Sequence, residues 1–380
     1  MALKKPPELK PAFLERMKLL LPDEKDLKSY LDILKIKPVK SFRCNTLKIS
    51  PEELKKRLEE KGWKIFQPWE KYPEVMIVEG KHVRSCSQIN KPATAPIKSP
   101  AKKEVNLKRT LTPLQQKTSD CLLMDSIKST NESGCSLEEL EPGEFGRSLE
   151  HLLGYYYIQE LASMLPIIAL KPREKEIFLD LCAAPGSKTT QAVAEMKNTG
   201  TIFVNEVSLG RLRILASNLE RCGATNTLIT KKDGIILCKR FKELEIFLDK
   251  ILVDVPCSGE GTLRSSYQTY LMWNEKTIKW LSKIQKRLVE SAIEILKLGG
   301  EMIYSTCTHA PEENEEVVNW VLENFPEMKL QKIELPIKTR PGLIKWKDKK
   351  FSSELKKCAR VYPHDNNTEG FFVAKFRKGK

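Results

Sequence analysis

Two thiols and a carboxylate stand where a chain can do covalent chemistry. Asp254 and Cys257 lie in Asp254-Val-Pro-Cys257-Ser-Gly-Glu-Gly, directly after the apolar, mostly β-branched run Ile251 to Val253. Cys307 closes a second run of this kind, in Tyr304-Ser-Thr-Cys307-Thr-His. An acid and a thiol at the end of a buried strand suit a reaction site, because ligands of open α/β sheets bind at that edge. Cys307 also precedes a helix start, and the exposed N–H groups there favour a thiolate. The two strand ends are expected to form opposite walls of one site. Cys44, Cys222, Cys238 and Cys358 read as small buried hydrophobes.

The elements that must hold these groups follow one another from residue 177. Strands are expected at 177–181, 201–205, 227–230, 251–253 and 300–305, and helices from about 188 and over 207–222, 275–298 and 311–324. Strand–helix alternation implies an α/β fold with a doubly wound, mostly parallel, Rossmann-like sheet. A closing pair of strands is expected within 360–376. The first strand-to-helix turn is Asp180-Leu-Cys182-Ala183-Ala184-Pro185-Gly186-Ser187-Lys188. Its small residues let a ligand approach the backbone, and the helix start adds donors. Neither the dinucleotide glycine fingerprint nor P-loop spacing is present, so a nucleoside with a charged tail fits better than a triphosphate. Glu206, after the second strand, can accept the hydroxyls of a ribose, and Asp233, after the third, an adenine amino group. With Asp180 and Asp254 they put an acid at four successive strand ends.

Ahead of this sheet, residues 1–84 read as a small α+β unit. It comprises helical residues 8–35 broken at Pro22, a strand within 38–49, a helix from Pro51 capped by Ser50 and ended by Gly62, and strands at 63–66 and 75–78. Arg43, Asn45 and nearby lysines suggest an RNA-facing surface. Residues 85–145 read as a low-complexity insertion, basic then acidic, expected to be disordered apart from a short helix near 114–127. The third unit, 146–380, opens on Tyr155-Tyr156-Tyr157, which is either a platform for stacking bases or core packing, and a helix over 159–170.

Lys and Arg number 65 against 50 acids, a net charge of +15, which suits a nucleic-acid partner or simply a basic enzyme. Ten cysteines with four histidines and no Cys-x-x-Cys pair argue against a metal site. Reduced thiols, no membrane-length apolar run and no leader pattern at the first residues imply a cytoplasmic protein.

Taken together these stretches resemble a known family. The matching pieces are Leu181-Cys-Ala-Ala-Pro-Gly-Ser-Lys-Thr, Asn205-Glu206, Asp233-Gly234, the Asp254 to Gly261 loop, Ser305-Thr-Cys-Thr, Glu312-Glu-Asn-Glu-Glu, Arg360-Val-Tyr-Pro-His and Glu369-Gly-Phe-Phe. They resemble the RsmB/Fmu/Sun-type RNA cytosine-5 methyltransferases over roughly residues 10–84 and 146–378; the stretch from Cys86 to about Phe145 has no counterpart. The resemblance implies S-adenosyl-L-methionine as methyl donor and Cys307 as the nucleophile that adds to carbon 6 of cytosine. Asp254 would contact the base near its ring nitrogen 3, and Cys257 would assist proton removal and release. By the same mapping Cys182, Ala183, Ala184, Pro185, Gly186, Ser187, Lys188, Glu206, Asp233 and Asp254 hold the cofactor. Arg211 supports them, and Lys188 counts also with the catalytic set. tRNA is the expected substrate, rRNA the alternative, and the enzyme is expected to be a monomer without metal. Two rivals remain: a DNA cytosine methyltransferase attacking through Pro256-Cys257, and a non-catalytic RNA-binding assembly factor.

Overall fold

The computed structural model describes residues 8–83 and 136–379. The chain starts with α1 (Pro11–Leu20) and α2 (Glu24–Ile33), the latter capped by the Asp23 carboxylate. β1 (Lys40–Cys44), α3 (Pro51–Glu60), β2 (Trp63–Phe66) and β3 (Val75–Val83) follow. As expected, the Ser50 hydroxyl accepts from the Glu53 N–H, and Gly62 leaves α3 at φ +86°. β4 (Ser136–Glu138), two short helices, α4 (Glu144–Arg147) and α5 (Leu149–Leu152), and β5 (Tyr156–Ile158) complete an antiparallel sheet. Its order is β2-β3-β1-β5, with β4 on β3. Phe42, Leu54, Leu58, Trp63, Phe145 and Tyr156 form its core.

This sheet crosses the boundaries drawn from composition. Residues 136–138 and 156–158 belong to it, although one stretch lies in the expected insertion and the other in the third unit. Three-residue strands are too short to show a period. α1 and α2 leave the unit altogether: Phe13, Met17 and Tyr30 pack with Trp273 and Tyr362 of the larger sheet's domain. Arg43 and Asn45 are not an RNA-facing pair; both are 2% exposed. Arg43 donates to Gln159 Oε1 and Thr190 Oγ1 at 3.1 and 2.9 Å, and Asn45 to the carbonyls of Gly154 and Cys222. They join the small sheet to the large one, which is why polar groups are kept in a core. Tyr156 and Tyr157 are likewise buried, so the stacking platform gives way to packing. The helix expected near 114–127 lies outside the described residues.

α6 (Leu161–Leu170) leads into the large sheet. Then come β6 (Ile177–Asp180), α7 (Ser187–Glu195), β7 (Thr201–Asn205), α8 (Leu209–Cys222), β8 (Thr227–Thr230) and α9 (Gly234–Glu243). β9 (Leu248–Asp254), α10 (Tyr267–Met272), α11 (Glu275–Ile295), β10 (Leu296–Thr306) and α12 (Glu315–Asn324) follow. The chain ends with β11 (Met328–Gln331), β12 (Arg340–Pro341), the hairpin β13–β14 (Lys345–Trp346 and Lys349–Lys350), β15 (Ala359–Val361), α13 (Pro363–Asn366) and β16 (Phe371–Lys378). The order is β12-β15-β16-β10-β9-β6-β7-β8, with β11 on β16. β6 to β10 run parallel, and β16 runs against β10. α6, α7 and α8 cover one face through Leu165, Val193 and Leu215; α9, α11 and α12 cover the other through Leu237, Val289 and Val317. The order reverses between β6 and β9, which opens a crevice at their carboxyl ends.

Candidate active site

β9 and β10 are in parallel register, with Ser305 opposite Asp254, so Asp254 and Cys307 emerge side by side. Pro256 turns the following loop back across β10. It brings the Cys257 sulfur 3.0 Å from that of Cys307, and the Cys307 N–H donates to the Cys257 sulfur at 3.3 Å. The hydrogen bond to Cys307, with burial, pushes the Cys257 thiol well above its ordinary range.

The loop is pinned at several points. Gly261 donates its N–H to the Cys307 carbonyl and Gly370 its own to the Gly261 carbonyl, both at 2.9 Å. A Cβ on Gly261 would stand 2.2 Å from the Gly370 oxygen, so only glycine fits there. Glu313 accepts from the Ser258 N–H at 3.0 Å and from Gln285 Nε2 at 2.8 Å. Burial raises the Glu313 carboxyl to about 7.

Asp254 is held from two sides. Lys188 Nζ lies 2.8 Å from Oδ2, and the Ser305 hydroxyl donates to Oδ1 at 2.7 Å. Lys188 also donates to Ser163 Oγ at 3.1 Å and sits 5.3 Å over the Phe371 ring. Burial works against its charge, but Asp254 more than offsets that, and its affinity for a proton ends up raised. Asp254, Lys188 and Ser163 line a cleft of about 500 Å³ with Cys307, Glu369 and Phe371. Ser41 and Ile158 of the small sheet form the facing wall.

The glycine turn adjoins this cleft. Ala183 donates its N–H to Asn205 O and Gly186 to Ala183 O, the Ala184–Pro185 bond is cis, and Gly186 has φ +105°. No side chain caps α7, so its first N–H groups face outward. Glu206 is buried; Oε1 accepts from the Ser208 N–H at 2.8 Å and Oε2 lies 3.3 Å from Arg211 Nη1. Arg211 also donates to the Ala184 carbonyl, so it braces both the acid and the turn. Asp180 accepts from Thr189 Oγ1 at 2.7 Å through one oxygen, while the other is buried without a partner. Burial, with the Asp254 charge adding, raises Asp180 to about 7. Burial also pushes the Cys182 thiol up.

Cys307, Asp254 and Lys188 thus share one cleft, Cys257 reaches it through its contact with Cys307, and the turn from Cys182 to Gly186 with Glu206 and Arg211 adjoins it. Pro185 and Ser187 line the cleft itself. The Lys188 ammonium is turned to Asp254, which sets it with the reacting groups. Asp233 stands apart: its Oδ1 caps α9, accepting from the N–H groups of Ile235 and Ile236 at 2.9 and 3.3 Å. Ser163, Ser305 and Phe371 were not foreseen as site residues. Ser305 and Phe371 lie inside the recognised motifs, whereas nothing in the local pattern marks Ser163.

A doubly wound sheet with paired thiols and an acid–lysine pair beside an uncapped glycine turn is the frame of a methyltransferase. The family model "16S rRNA methyltransferase RsmB/F" matches residues 167–377. A "tRNA (cytosine(49)-C(5))-methyltransferase" of Pyrococcus abyssi is 42% identical over 62% of this chain and 74% of its own length. A "Ribosomal RNA small subunit methyltransferase F" of Erwinia tasmaniensis is 31% identical over 97% of this chain, which spans 63% of that relative's length. The crystal structure of a methyltransferase homolog from Pyrococcus horikoshii superposes with a TM-score of 0.69 at 30% identity, covering 97% of this chain and 100% of that one. The chain belongs to the RsmB/F family of RNA methyltransferases.

Proposed function

We propose that this enzyme methylates carbon 5 of a cytosine in RNA, with tRNA as substrate and S-adenosyl-L-methionine as methyl donor. One observation carries the reading: Cys307 lines the same cleft as the Asp254–Lys188 pair, with the Cys257 sulfur 3.0 Å from its own. Carbon 5 of cytosine is a poor nucleophile. Addition of the Cys307 sulfur to carbon 6 forms a carbon–sulfur bond and makes carbon 5 an enamine carbon. Asp254 and Lys188 hold the base near nitrogen 3, where electron density gathers. The cofactor supplies an electrophilic methyl group. Cys257 then takes part in loss of the carbon 5 proton and in release of Cys307 from carbon 6.

The residues fit the cofactor. Asp180 offers a buried carboxylate oxygen without a partner, Glu206 a buried acid for a ribose, and α7 an uncapped start for a carboxylate. Asp233 retains a second oxygen for an adenine amino group. The small sheet, whose Lys40 and Ser41 reach the cleft wall, supports a role in gripping RNA beside the extruded base.

The tRNA preference rests on the Pyrococcus abyssi relative's name; the Erwinia relative's name favours rRNA as the second reading. A free Cys307 beside Cys257 suits a reducing compartment such as the cytoplasm. The test is methylation of tRNA and 16S rRNA transcripts, read by bisulfite sequencing. Cys257→Ala should leave a covalent protein–RNA adduct on denaturing gels, and Cys307→Ala should form neither adduct nor 5-methylcytosine. Full activity of Cys307→Ala would end this reading, and attack by Cys257 would then have to replace it.

A further inference from the structure

Glu369 lines the cleft, and nothing in the reaction above uses it. It is 5% exposed, and apart from the Ser265 hydroxyl neither carboxylate oxygen meets a hydrogen-bond donor. That hydroxyl also lies 3.4 Å from the Thr262 carbonyl, to which it can donate instead. Its backbone is firmly held. The Glu369 N–H donates to Glu160 Oε1 at 2.9 Å, and Arg264 binds the Thr368 carbonyl at 2.8 Å and Asn367 Oδ1 at 2.7 Å. A buried carboxylate fixed in place with at most one donor for its two oxygens is costly unless a ligand supplies another. Burial raises this carboxyl to about 7, and in either protonation state it keeps an oxygen that accepts.

The sheet register says which part of the substrate lies there. Ser305 pairs with Asp254 on one side of β10, and Thr306 with Phe372 on the other. Along the sheet edge the order is therefore the glycine turn after β6, Asp254, Cys307, then Glu369 ahead of β16. Carbon 5, carbon 6 and nitrogen 1 are consecutive atoms of the cytosine ring. With carbon 6 at Cys307 and carbon 5 toward the β6 turn, nitrogen 1 and its ribose face Glu369. A phosphate would be repelled by the acid; the ribose hydroxyl is a neutral donor.

Resting on the cytosine-5 reading, we propose that Glu369 accepts a hydrogen bond from the 2′-hydroxyl of the target nucleotide and so selects ribose over deoxyribose at that position. This hydroxyl is what separates RNA from DNA at a given site, and a buried group left unpaired rejects the analogue that lacks it.

The experiment compares kcat/KM for one RNA oligonucleotide with copies carrying 2′-deoxycytidine or 2′-fluoro-2′-deoxycytidine at the target alone. The fluoro analogue keeps the ribose pucker but has no donor. Wild type should prefer the ribose form over both by roughly ten- to a hundredfold. Glu369→Leu should bring the ratio close to one by losing rate on the ribose form, and Glu369→Gln, which keeps an acceptor, should retain most of the preference. A wild-type ratio near one overturns the assignment, and so does an unchanged ratio in Glu369→Leu. If Glu369→Leu does not fold, the wild-type ratios for the two analogues still decide it. Failure of the underlying reading has a different signature: no 5-methylcytosine from any of the three oligonucleotides.

Discussion

The Cys307 N–H points at the Cys257 sulfur, and the two sulfurs lie 3.0 Å apart, about an ångström beyond disulfide length. Small loop motion suffices to join them. Diamide should therefore inactivate the enzyme by forming the Cys257–Cys307 disulfide, with loss of the two thiol hydrogens in the mass of the linking peptide. Dithiothreitol should restore activity. Inactivation without that cross-linked peptide in a digest would count against the proximity.

Lys188 and Asp254 form the second prediction. Lys188→Met keeps the length of the side chain and removes its charge. It leaves Asp254 facing the cleft with Ser305 as its remaining partner. kcat/KM should fall by at least about a hundredfold, a loss of roughly 3 kcal/mol, with the fold intact by circular dichroism. Ser163→Ala removes only the hydroxyl that accepts from Lys188 at 3.1 Å, and about a tenfold loss is expected. Equal effects from the two would show that Lys188 acts through Ser163 rather than through Asp254.

Much of the large sheet was legible because its strands are apolar and its helices long. The ends were less so. β9 begins at Leu248, ahead of the expected start at Ile251, since Lys250 looks like a surface residue. It is in fact buried, tied to Glu301 and to the Leu170 carbonyl at 3.0 Å. That pairing joins residues far apart in the chain, and no local pattern carries it. Cys307, Cys257 and Asp254 were visible because reactive types stood at strand ends. Arg43 misled for the opposite reason: a guanidinium reads as surface until its partners Gln159 and Thr190 are known. Asp233 was read as a ligand for adenine; the structure shows it capping α9.

Glu313 links pH to stability. Its folded pKa, about 7, stands above the ordinary carboxylate value of 4.5 because burial penalises the charge. A raised carboxyl favours the folded state while protonated, so this contribution fades as pH rises from 4.5 through 7. Glu313→Gln carries no charge to desolvate. Its stability relative to wild type should rise by about 2.5 kcal/mol between pH 5 and 8, measured by urea unfolding. A pH-independent difference would show that Glu313 titrates normally.

Arg16 and Glu312 pose the reverse case. Arg16 donates from Nη1 and Nη2 at 3.0 and 2.7 Å, and Trp346 Nε1 adds a bond at 3.1 Å. Burial alone would raise the Glu312 carboxyl, but the Arg16 hydrogen bond and charge outweigh it and hold the group near 2. A depressed pKa stabilises the fold above 4.5, and that contribution is lost as pH falls toward 2. The pair fastens α1 next to Glu313, which in turn holds the Ser258 N–H in the loop that carries Cys257. Arg16→Met leaves a buried carboxylate without its counter-charge, with Trp346 as its remaining side-chain donor, and should cost about 3–5 kcal/mol at pH 7. Replacing both residues, Arg16→Met with Glu312→Leu, removes the stranded charge and should recover much of that loss. The deficit of Arg16→Met should also shrink between pH 5 and 3, as the unfolded wild-type chain takes up the proton that folded Glu312 refuses and the pair's contribution falls. A deficit that stays constant over that range, in urea melts of both proteins, would assign the effect of Arg16 to packing against Trp346 instead.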